Sequence, residues 1–340
     1  MLTAQTQKSS NGAPEIRPDT DLGELSNFCK ASADRLRLLI LRALRQDSMA
    51  VAELCSLFDT GQSGMSHHLK ILAGAGLVAK RREGNTIFYR RTSQLASPVL
   101  ADVHAQLLLV VDGLLLCPEQ SGRLDAIHAA RSELSRQFFS DNSHKFRAQQ
   151  DLIASYEQYA DTVAQTLASC QTGTGIAVEI GPGDGRFLAT LAPRFEQVIA
   201  VDNSLAMLEK ARETAREDDL GNIEFVHGDT QNNAIAGIDA DCVIANMVLH
   251  HTPSPADVIQ DIARCLGPGG IFVLTDLCPH DQDWARETCG DLWLGLEPDF
   301  LTNWAASAQM TELSGTYLTQ RNGFRVQVKV FKKSDQPNNQ

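Results

Sequence analysis

The segment Ala177-Val178-Glu179-Ile180-Gly181-Pro182-Gly183-Asp184-Gly185-Arg186-Phe187 constrains the fold more than any other stretch of the chain. Its first half reads as a strand, and that strand runs into glycines at every second position, 181, 183 and 185, with Glu179 just before them. Glycine has no Cβ, so such a turn lets the backbone come close to whatever lies beyond the strand end. A dinucleotide-binding fingerprint would place its third glycine three residues after the second. Here it follows after two, and the segment reads as a turn that binds the edge of a nucleotide-like ligand.

The chain after this turn keeps the same rhythm. A helix through Phe187 to Leu191 leads to the strand Gln197 to Val201, which ends in Asp202. That is about twenty residues beyond the first glycine, where an acid can accept both ribose hydroxyls. Ile223 to Val226 ends in His227-Gly228-Asp229, Asp241 to Ala245 leads into Asn246-Met247-Val248-Leu249-His250-His251, and Leu266 to Leu274 supplies a glycine turn and a fifth strand. In this order and spacing the chain resembles the class I S-adenosylmethionine-dependent methyltransferases.

The resemblance implies an α/β fold with a mostly parallel seven-stranded sheet, closed by an antiparallel hairpin around Asn322-Gly323. It also implies a site for S-adenosylmethionine or S-adenosylhomocysteine. Glu179 would face the ammonium end and Gly181, Gly183 and Gly185 would form the turn. Asp202, with Asn203 and Met207 after it, would hold the ribose side. Asp229 and Thr230 would lie beside the adenine, and Asn246 would lie where the chain passes under the sulfonium. His250 and His251 are the candidate catalytic bases. Pro279 to Gln309, with Trp284, Trp293 and Trp304, would cap the acceptor side.

The net charge of −12 hides an asymmetry. Residues 21–100 carry 11 Lys/Arg against 7 Asp/Glu, or +4, whereas residues 101–340 carry 17 against 33, or −16, and the first twenty balance. A basic module joined to an acidic metabolite-binding domain fits these numbers. Within the basic end, Leu36, Leu39, Ile40, Ala43 and Leu44 recur at helical spacing, and Val51, Leu54, Leu57 and Phe58 begin a second helix. After a turn at Asp59-Thr60-Gly61, Ser63 to Ala73 forms a third helix with Met65, Leu69 and Leu72 as its inner face. Lys80 to Arg91 then reads as a basic hairpin turning at Gly84-Asn85.

Leu25 to Arg91 resembles the winged helix-turn-helix of the ArsR/SmtB family of bacterial repressors. The match rests on Ala33-Asp34-Arg35-Leu36-Arg37-Leu38-Leu39, on Met65-Ser66-His67-His68-Leu69-Lys70-Ile71-Leu72, and on the wing ending in Phe88-Tyr89. It implies double-stranded DNA as a partner. Gln62, Ser63, Ser66 and His67 would read base edges from the major groove, and Lys70, Arg81, Arg82 and Arg90 would lie near phosphates. His67 and His68, adjacent on a helix, point about 100° apart and cannot share an ion.

The metal-sensing sites of that family are incomplete here. The helix from Glu53 to Phe58 has one cysteine where arsenite sensors carry a pair. Asp102-Val103-His104 copies half of a zinc site, while Leu114 to Glu119 contains no histidine. No metal is expected. Leu100, Val103, Leu107, Val110 and Leu114 alternate in steps of three and four, which suits a homodimer contact and a palindromic operator. The eight cysteines form no C-x-C or C-x-x-C pair. The N-terminus has no basic-then-apolar run, and Leu107 to Cys117 is too short an apolar stretch to span a bilayer. A cytoplasmic protein is expected.

The expected organisation is a flexible tail over 1–20, the winged helix-turn-helix over 21–93, and a helical dimerisation and linker segment over 94–165. The methyltransferase-like domain follows over 166–333, with a short tail over 334–340. Arg136 to Ser140 resembles the segment that precedes the methyltransferase fold in such fusions and often covers the cofactor; the alternative is plain packing of these helices onto the sheet. The expected function is a repressor whose operator affinity responds to the S-adenosyl ligand, acting on methionine-cycle genes. The alternative is an active methyltransferase on a small molecule, with DNA binding giving feedback control. Arsenite methylation would need several convergent thiolates, and only Cys278 and Cys289 lie near the expected acceptor side.

Overall fold

The computed structural model describes residues 18–83, 86–92, 95 and 97–335, and the chain divides after Arg123 into two compact units. Residues 1–17, the last five residues and the Gly84-Asn85 turn lie outside the described residues. The first unit opens with helix α1 (Pro18–Ser32), which begins inside the segment expected as a tail. Helix α2 (Arg35–Ala43) starts at Asp34, whose Oδ1 accepts a hydrogen bond from the Arg37 backbone N–H at 3.0 Å. This side-chain cap satisfies one of the amide groups that a helix start leaves without a partner.

Helices α3 (Val51–Phe58) and α4 (Gln62–Gly74) are separated at Asp59, whose left-handed backbone (φ 53°) ends α3. Met65, Leu69 and Leu72 are fully buried, together with Leu54 and Leu57 of α3. Strand β1 (Ser48–Ala50) pairs with one edge of β3 (Thr86–Arg91), and β2 (Val78–Glu83) pairs with the other. In the wing, Lys80 stands opposite Tyr89 and Arg82 opposite Ile87. Helix α5 (Ala101–Asp112) turns His104, Leu108 and Val111 inward and leaves Val103, Leu109 and Val110 exposed. Of the expected contact row, Val103, Val110 and Leu114 are exposed, whereas Leu100 is buried within the unit.

Helix α6 (Pro118–Asn142) spans the division between the units, followed by α7 (Phe146–Ile153) and α8 (Tyr156–Ser169). The second unit is then built on β4 (Ile176–Ile180), α9 (Leu188–Leu191), β5 (Gln197–Asp202), α10 (Leu205–Glu217) and β6 (Ile223–His227). These are followed by β7 (Ala240–Asn246), α11 (Pro255–Cys265), β8 (Leu266–Leu277), α12 (Trp284–Cys289), α13 (Pro298–Ser307), β9 (Met310–Thr319) and β10 (Arg325–Lys333). The seven strands are ordered β6-β5-β4-β7-β8-β10-β9. The first five in that order are parallel, and β10 runs against both of its neighbours.

Neighbouring residues of the central strands face opposite sides of the sheet, and both sides are covered. Ala177, Val198 and Cys242 pack with Val163 of α8, Leu188 of α9 and Ala211 of α10. Val178, Ile199 and Val243 pack with Ile259 and Ile262 of α11 and Leu301 of α13. That double burial explains why these strands are apolar at nearly every position rather than at alternate ones. No described helix is long and apolar enough to cross a membrane.

The two faces of α4 make a stability test. Leu69→Ala should destabilise the first unit by about 2–5 kcal/mol. Ser66→Ala, at an exposed position of the same helix, should change stability by less than about 0.5 kcal/mol. Urea unfolding of both variants measures the difference, and equal effects would contradict this assignment of faces.

Candidate functional site

Strand order reverses at β4, since β5 and β6 lie on one side of it and β7 and β8 on the other. The connections therefore leave β4 and β7 in opposite directions, which opens a crevice beyond the carboxyl ends of the strands. A cavity of about 550 Å³ occupies that place. Glu179 near the end of β4, Asp202 at the end of β5, Asp229 just after β6 and Asn246 at the end of β7 all line it.

The glycine turn closes one side. Gly181 has φ 62°, and its N–H donates to the Val201 carbonyl at 2.8 Å. A Cβ there would come within 2.7 Å of Val248, so the tight turn tolerates no side chain. Gly181 and Gly183 line the cavity and Gly185 does not. Gly185 has φ 83°, and a Cβ on it would meet the Ala211 Cα at 2.8 Å. It allows α10 to pack against the turn and is not a cavity residue.

The polar groups at the strand ends are costly to bury without partners. Glu179 is buried, its Oε2 has no hydrogen-bond partner, and burial pushes its pKa up to about 8. The Asn246 amide beside it opposes this rise, yet neither of its polar atoms reaches a hydrogen bond of normal geometry within the chain. Asp202 is held by the Ser204 backbone N–H, which donates to its Oδ1 at 2.7 Å, while burial raises its pKa above the usual carboxylate range. Asp229 Oδ1 accepts from the Gln231 backbone N–H at 3.0 Å. The Thr230 hydroxyl donates to Asp261 of α11 at 2.6 Å, which anchors this loop to the helix. Asn203 and Met207 complete the lining on the β5 side. All the expected cofactor residues except Gly185 thus meet at one cavity.

The opposite wall comes from helices that precede the sheet. Ser132, Ser135 and Phe139 of α6, Phe146 and Gln150 of α7, and Tyr156 and Tyr159 of α8 line it. Within the segment expected to cover the site, Phe139 lines the cavity, while the exposed Arg136 pairs with Glu133. Arg186 was not singled out by sequence reasoning. Its Nη1 donates to Glu157 at 2.9 Å, its Nε donates to Asp184 at 3.2 Å, and its guanidinium lies 4.3 Å from the Tyr156 ring centre. It thereby ties α8 to the glycine turn, and the signal available in advance was an arginine directly following the turn.

The paired histidines separate. His251 lines the cavity, with its ring edge-on to Phe139 at 4.8 Å and its Nδ1 3.1 Å from the Gly290 carbonyl. His250 does not line it: the ring is buried and its Nδ1 lies 2.7 Å from Asp276 Oδ1. The expected tryptophan cap also resolves differently. Trp293 and Trp304 are buried in the core of the sheet face, Trp284 is 38% exposed and packs edge-on against Phe324, and none of the three lines the described cavity. Cys278 and Cys289 are buried outside the lining, so the described cavity presents no thiolate pair.

In the first unit, Gln62, Ser63, Ser66, His67 and Lys70 are exposed along one side of α4, opposite Met65 and Leu69. Helical periodicity makes this division follow from the sequence. Of the wing residues, Arg82 is exposed and Arg81 and Arg90 are partly so. His68 turns back toward Asp34, with its Nδ1 3.7 Å from Oδ1, and so plays a structural part.

Comparison with known proteins gives a match for each unit. Residues 34–80 match the model of the bacterial regulatory protein arsR family, and residues 178–274 match that of the methyltransferase domain. The nodulation protein NolR of Rhizobium meliloti is 36% identical over 87 residues, which is 26% of this chain and 70% of that protein. An arsenite methyltransferase of Halobacterium salinarum is 29% identical over 156 residues, which is 44% of this chain. The chain spans between 20% and 34% of the length of four curated relatives, that enzyme among them at 34%. A chain of the complex between the Haloferax volcanii Trm112 methyltransferase activator and a methyltransferase superposes with a TM-score of 0.50 at 14% identity. That superposition covers 60% of this chain and 99% of the other, and it shows the shared fold. The sheet order, the winged helix-turn-helix and these matches agree: the chain belongs to the ArsR-family winged helix-turn-helix regulators, here fused to a class I methyltransferase domain.

Proposed function

We propose that the protein is a DNA-binding repressor whose second unit binds an S-adenosyl ligand, and that the ligand sets its affinity for the operator. The observation that carries the reading is the set of polar groups around one cavity, held on an adenosine-type crevice in a chain that also carries an ArsR-type reader. Glu179 and Asn246 are buried there with polar atoms that find no partner in the chain. A ligand with an ammonium and hydroxyl groups would satisfy them. Glu179 would meet the ammonium, Asp202 the ribose hydroxyls, Asp229 and Thr230 the adenine side, and Asn246 would lie where the chain passes under the sulfonium. Met207 and Phe146 would pack on the apolar parts.

S-adenosylmethionine supplies an activated methyl group on sulfur when bound, and S-adenosylhomocysteine fills the same outline without it. We favour S-adenosylhomocysteine as effector and methionine-cycle genes as targets. Ligand acts by binding one form of the protein better than another, since differential affinity is its only lever. The apolar surface of α5 and of the residues just after it, with Val103, Val110 and Leu114 exposed, supports a homodimer on a palindromic operator. Gln62, Ser63, Ser66 and His67 would read bases, and Lys70, Arg81, Arg82 and Arg90 would neutralise phosphates.

A second reading, methyl transfer to a small molecule, is favoured by one observation. His251 stands on the cavity wall with its ring positioned by the Gly290 carbonyl and Phe139. If its Nδ1 donates to that carbonyl, Nε2 is left unprotonated to accept a proton from an acceptor. Burial lowers its pKa well below the usual histidine value, which keeps the ring neutral.

Three outcomes are expected. A palindromic promoter fragment should be retarded in a gel with affinity that falls steeply with salt, and saturating S-adenosylhomocysteine should change that affinity; an unaltered shift at saturation rejects ligand control. Calorimetry should show Asp202→Ala weakening S-adenosylhomocysteine by roughly thirty-fold, about 2 kcal/mol for lost hydrogen bonds to a charged acceptor. Glu179 must ionise to pair with the ligand's ammonium, and its pKa of about 8 lies above neutrality. Ligand affinity should therefore rise with pH toward that value, by up to about tenfold per pH unit, with one proton released on binding. Glu179→Gln should remove the Glu179 part of this slope and leave the part due to Asp202, whose carboxyl burial raises to about 7, and an unchanged slope in that variant would show that Glu179 does not titrate with binding.

A further inference from the structure

Behind the cavity wall, three imidazole rings converge on one buried carboxylate. Asp291, two residues beyond α12, is 2% exposed, and neither of its oxygens has a hydrogen-bond partner. His250 Nε2 and His251 Nδ1 each lie 3.9 Å from its Oδ1, and His280 Nε2 lies 4.0 Å from its Oδ2. These separations are too long for hydrogen bonds. They are close to what ligands of a shared ion require. One ligand atom from each of His250, His251 and Asp291 can be chosen so that all lie within 4.8 Å of one another. An ion with bonds of about 2.0–2.1 Å in tetrahedral geometry holds its ligand atoms about 3.4 Å apart. The two 3.9 Å separations must each shorten by about half an ångström, and the histidine–histidine separation, bounded at 4.8 Å, by up to about 1.4 Å, movements that rotation of the side chains can supply.

The surroundings are those of an oriented metal ligand. Asp276 Oδ1 takes the Nδ1 side of the His250 ring at 2.7 Å, which presents Nε2 toward Asp291. Asp276 is itself held by the backbone N–H groups of Leu249 at 2.9 Å and Leu277 at 2.7 Å. The His250 carbonyl accepts from the backbone N–H groups of Leu292 and Trp293, each at 3.0 Å, which fixes the histidine turn to the segment carrying Asp291. A carboxylate behind a ligating imidazole sets its tautomer and direction. A proton shared by His250 and Asp276 would leave Asp291 unsatisfied, whereas an ion satisfies it.

We propose that His250, His251 and Asp291 bind one divalent first-row transition ion such as zinc, with Asp276 as a positioning residue. Two imidazoles and a carboxylate suit that class of ion, and three protein donors leave a coordination position open. Binding through His251 Nδ1 replaces its contact with the Gly290 carbonyl, and the ring keeps its single proton on Nε2. Since His251 also lines the cavity, the ion would join the buried Asp291 to the cavity wall. This goes against the expectation of no metal, which rested on the incomplete sensor sites of the first unit.

The test needs neither DNA nor S-adenosyl ligand, so its failure is separate from failure of the regulator reading. The full chain is stripped with chelator, dialysed against zinc, and analysed for metal content. A cobalt-loaded sample is examined for ligand-field absorption, and zinc affinity is measured by competition with a chromogenic chelator. One ion per chain is expected, with tetrahedral cobalt bands that lack thiolate charge transfer. Asp291→Asn and His251→Ala should each lower affinity on the order of 100-fold or more, and Asp276→Asn by roughly 10- to 100-fold. Should Asp291→Asn fail to fold, His251→Ala decides, because its ring is partly exposed. Absence of stoichiometric metal, thiolate bands, or affinity unchanged in His251→Ala would overturn the proposal.

Discussion

The reversal of strand order at β4 is the constraint on which the candidate site depends. Parallel strands joined by helices on both faces leave one position where successive connections diverge, and only there do strand ends face an open crevice. Because β5 and β7 flank β4, the residues that end these strands are brought to one cavity although they are scattered over 68 positions of sequence from Glu179 to Asn246. The carboxylates of Asp202 and Asp229 are held by backbone N–H groups of the turns that follow them. Glu179 and Asn246 keep unpartnered polar atoms.

Each unit answers a different physical problem. The first buries one face of α4 and leaves the other polar, which is what a helix must do if it packs on its own domain and also enters a groove. The second encloses a cavity between the sheet ends and helices α6, α7 and α8, with Arg186 fastening α8 to the glycine turn. Charge is divided in the same way, basic over residues 21–100 and acidic beyond, so an electrostatic attraction to DNA is confined to one end of an otherwise acidic chain.

Much of this was legible beforehand where local rules suffice. Helical spacing alone marks Met65, Leu69 and Leu72 as an inner face, and all three are buried. The strand ends at Asp202 and Asn246 were legible for a similar reason, since an apolar run that stops at a polar residue marks the edge of a covered sheet. Where position depended on a distant partner, the reading fell short. The three glycines look alike in sequence, yet Gly185 serves packing because α10 happens to cross it. The sequence places Trp293 and Trp304 at an acceptor cap, whereas both join the core that α11 and α13 make with the sheet, Trp304 from α13 itself, where burial of large apolar surface outweighs any exposed role.

What the sequence determined by itself was the kind and order of elements, and with them the family, because strand, helix and turn preferences act over a few residues. What only the tertiary structure decided was the neighbourhood of each side chain. His250 and His251 are adjacent in the chain, but one faces Asp276 in the interior and the other faces the cavity, and Asp291 reaches both from a segment 40 residues on from His251. Such meetings depend on how separate segments are packed against one sheet, and side-chain packing at that range leaves no periodic trace in the order of residues.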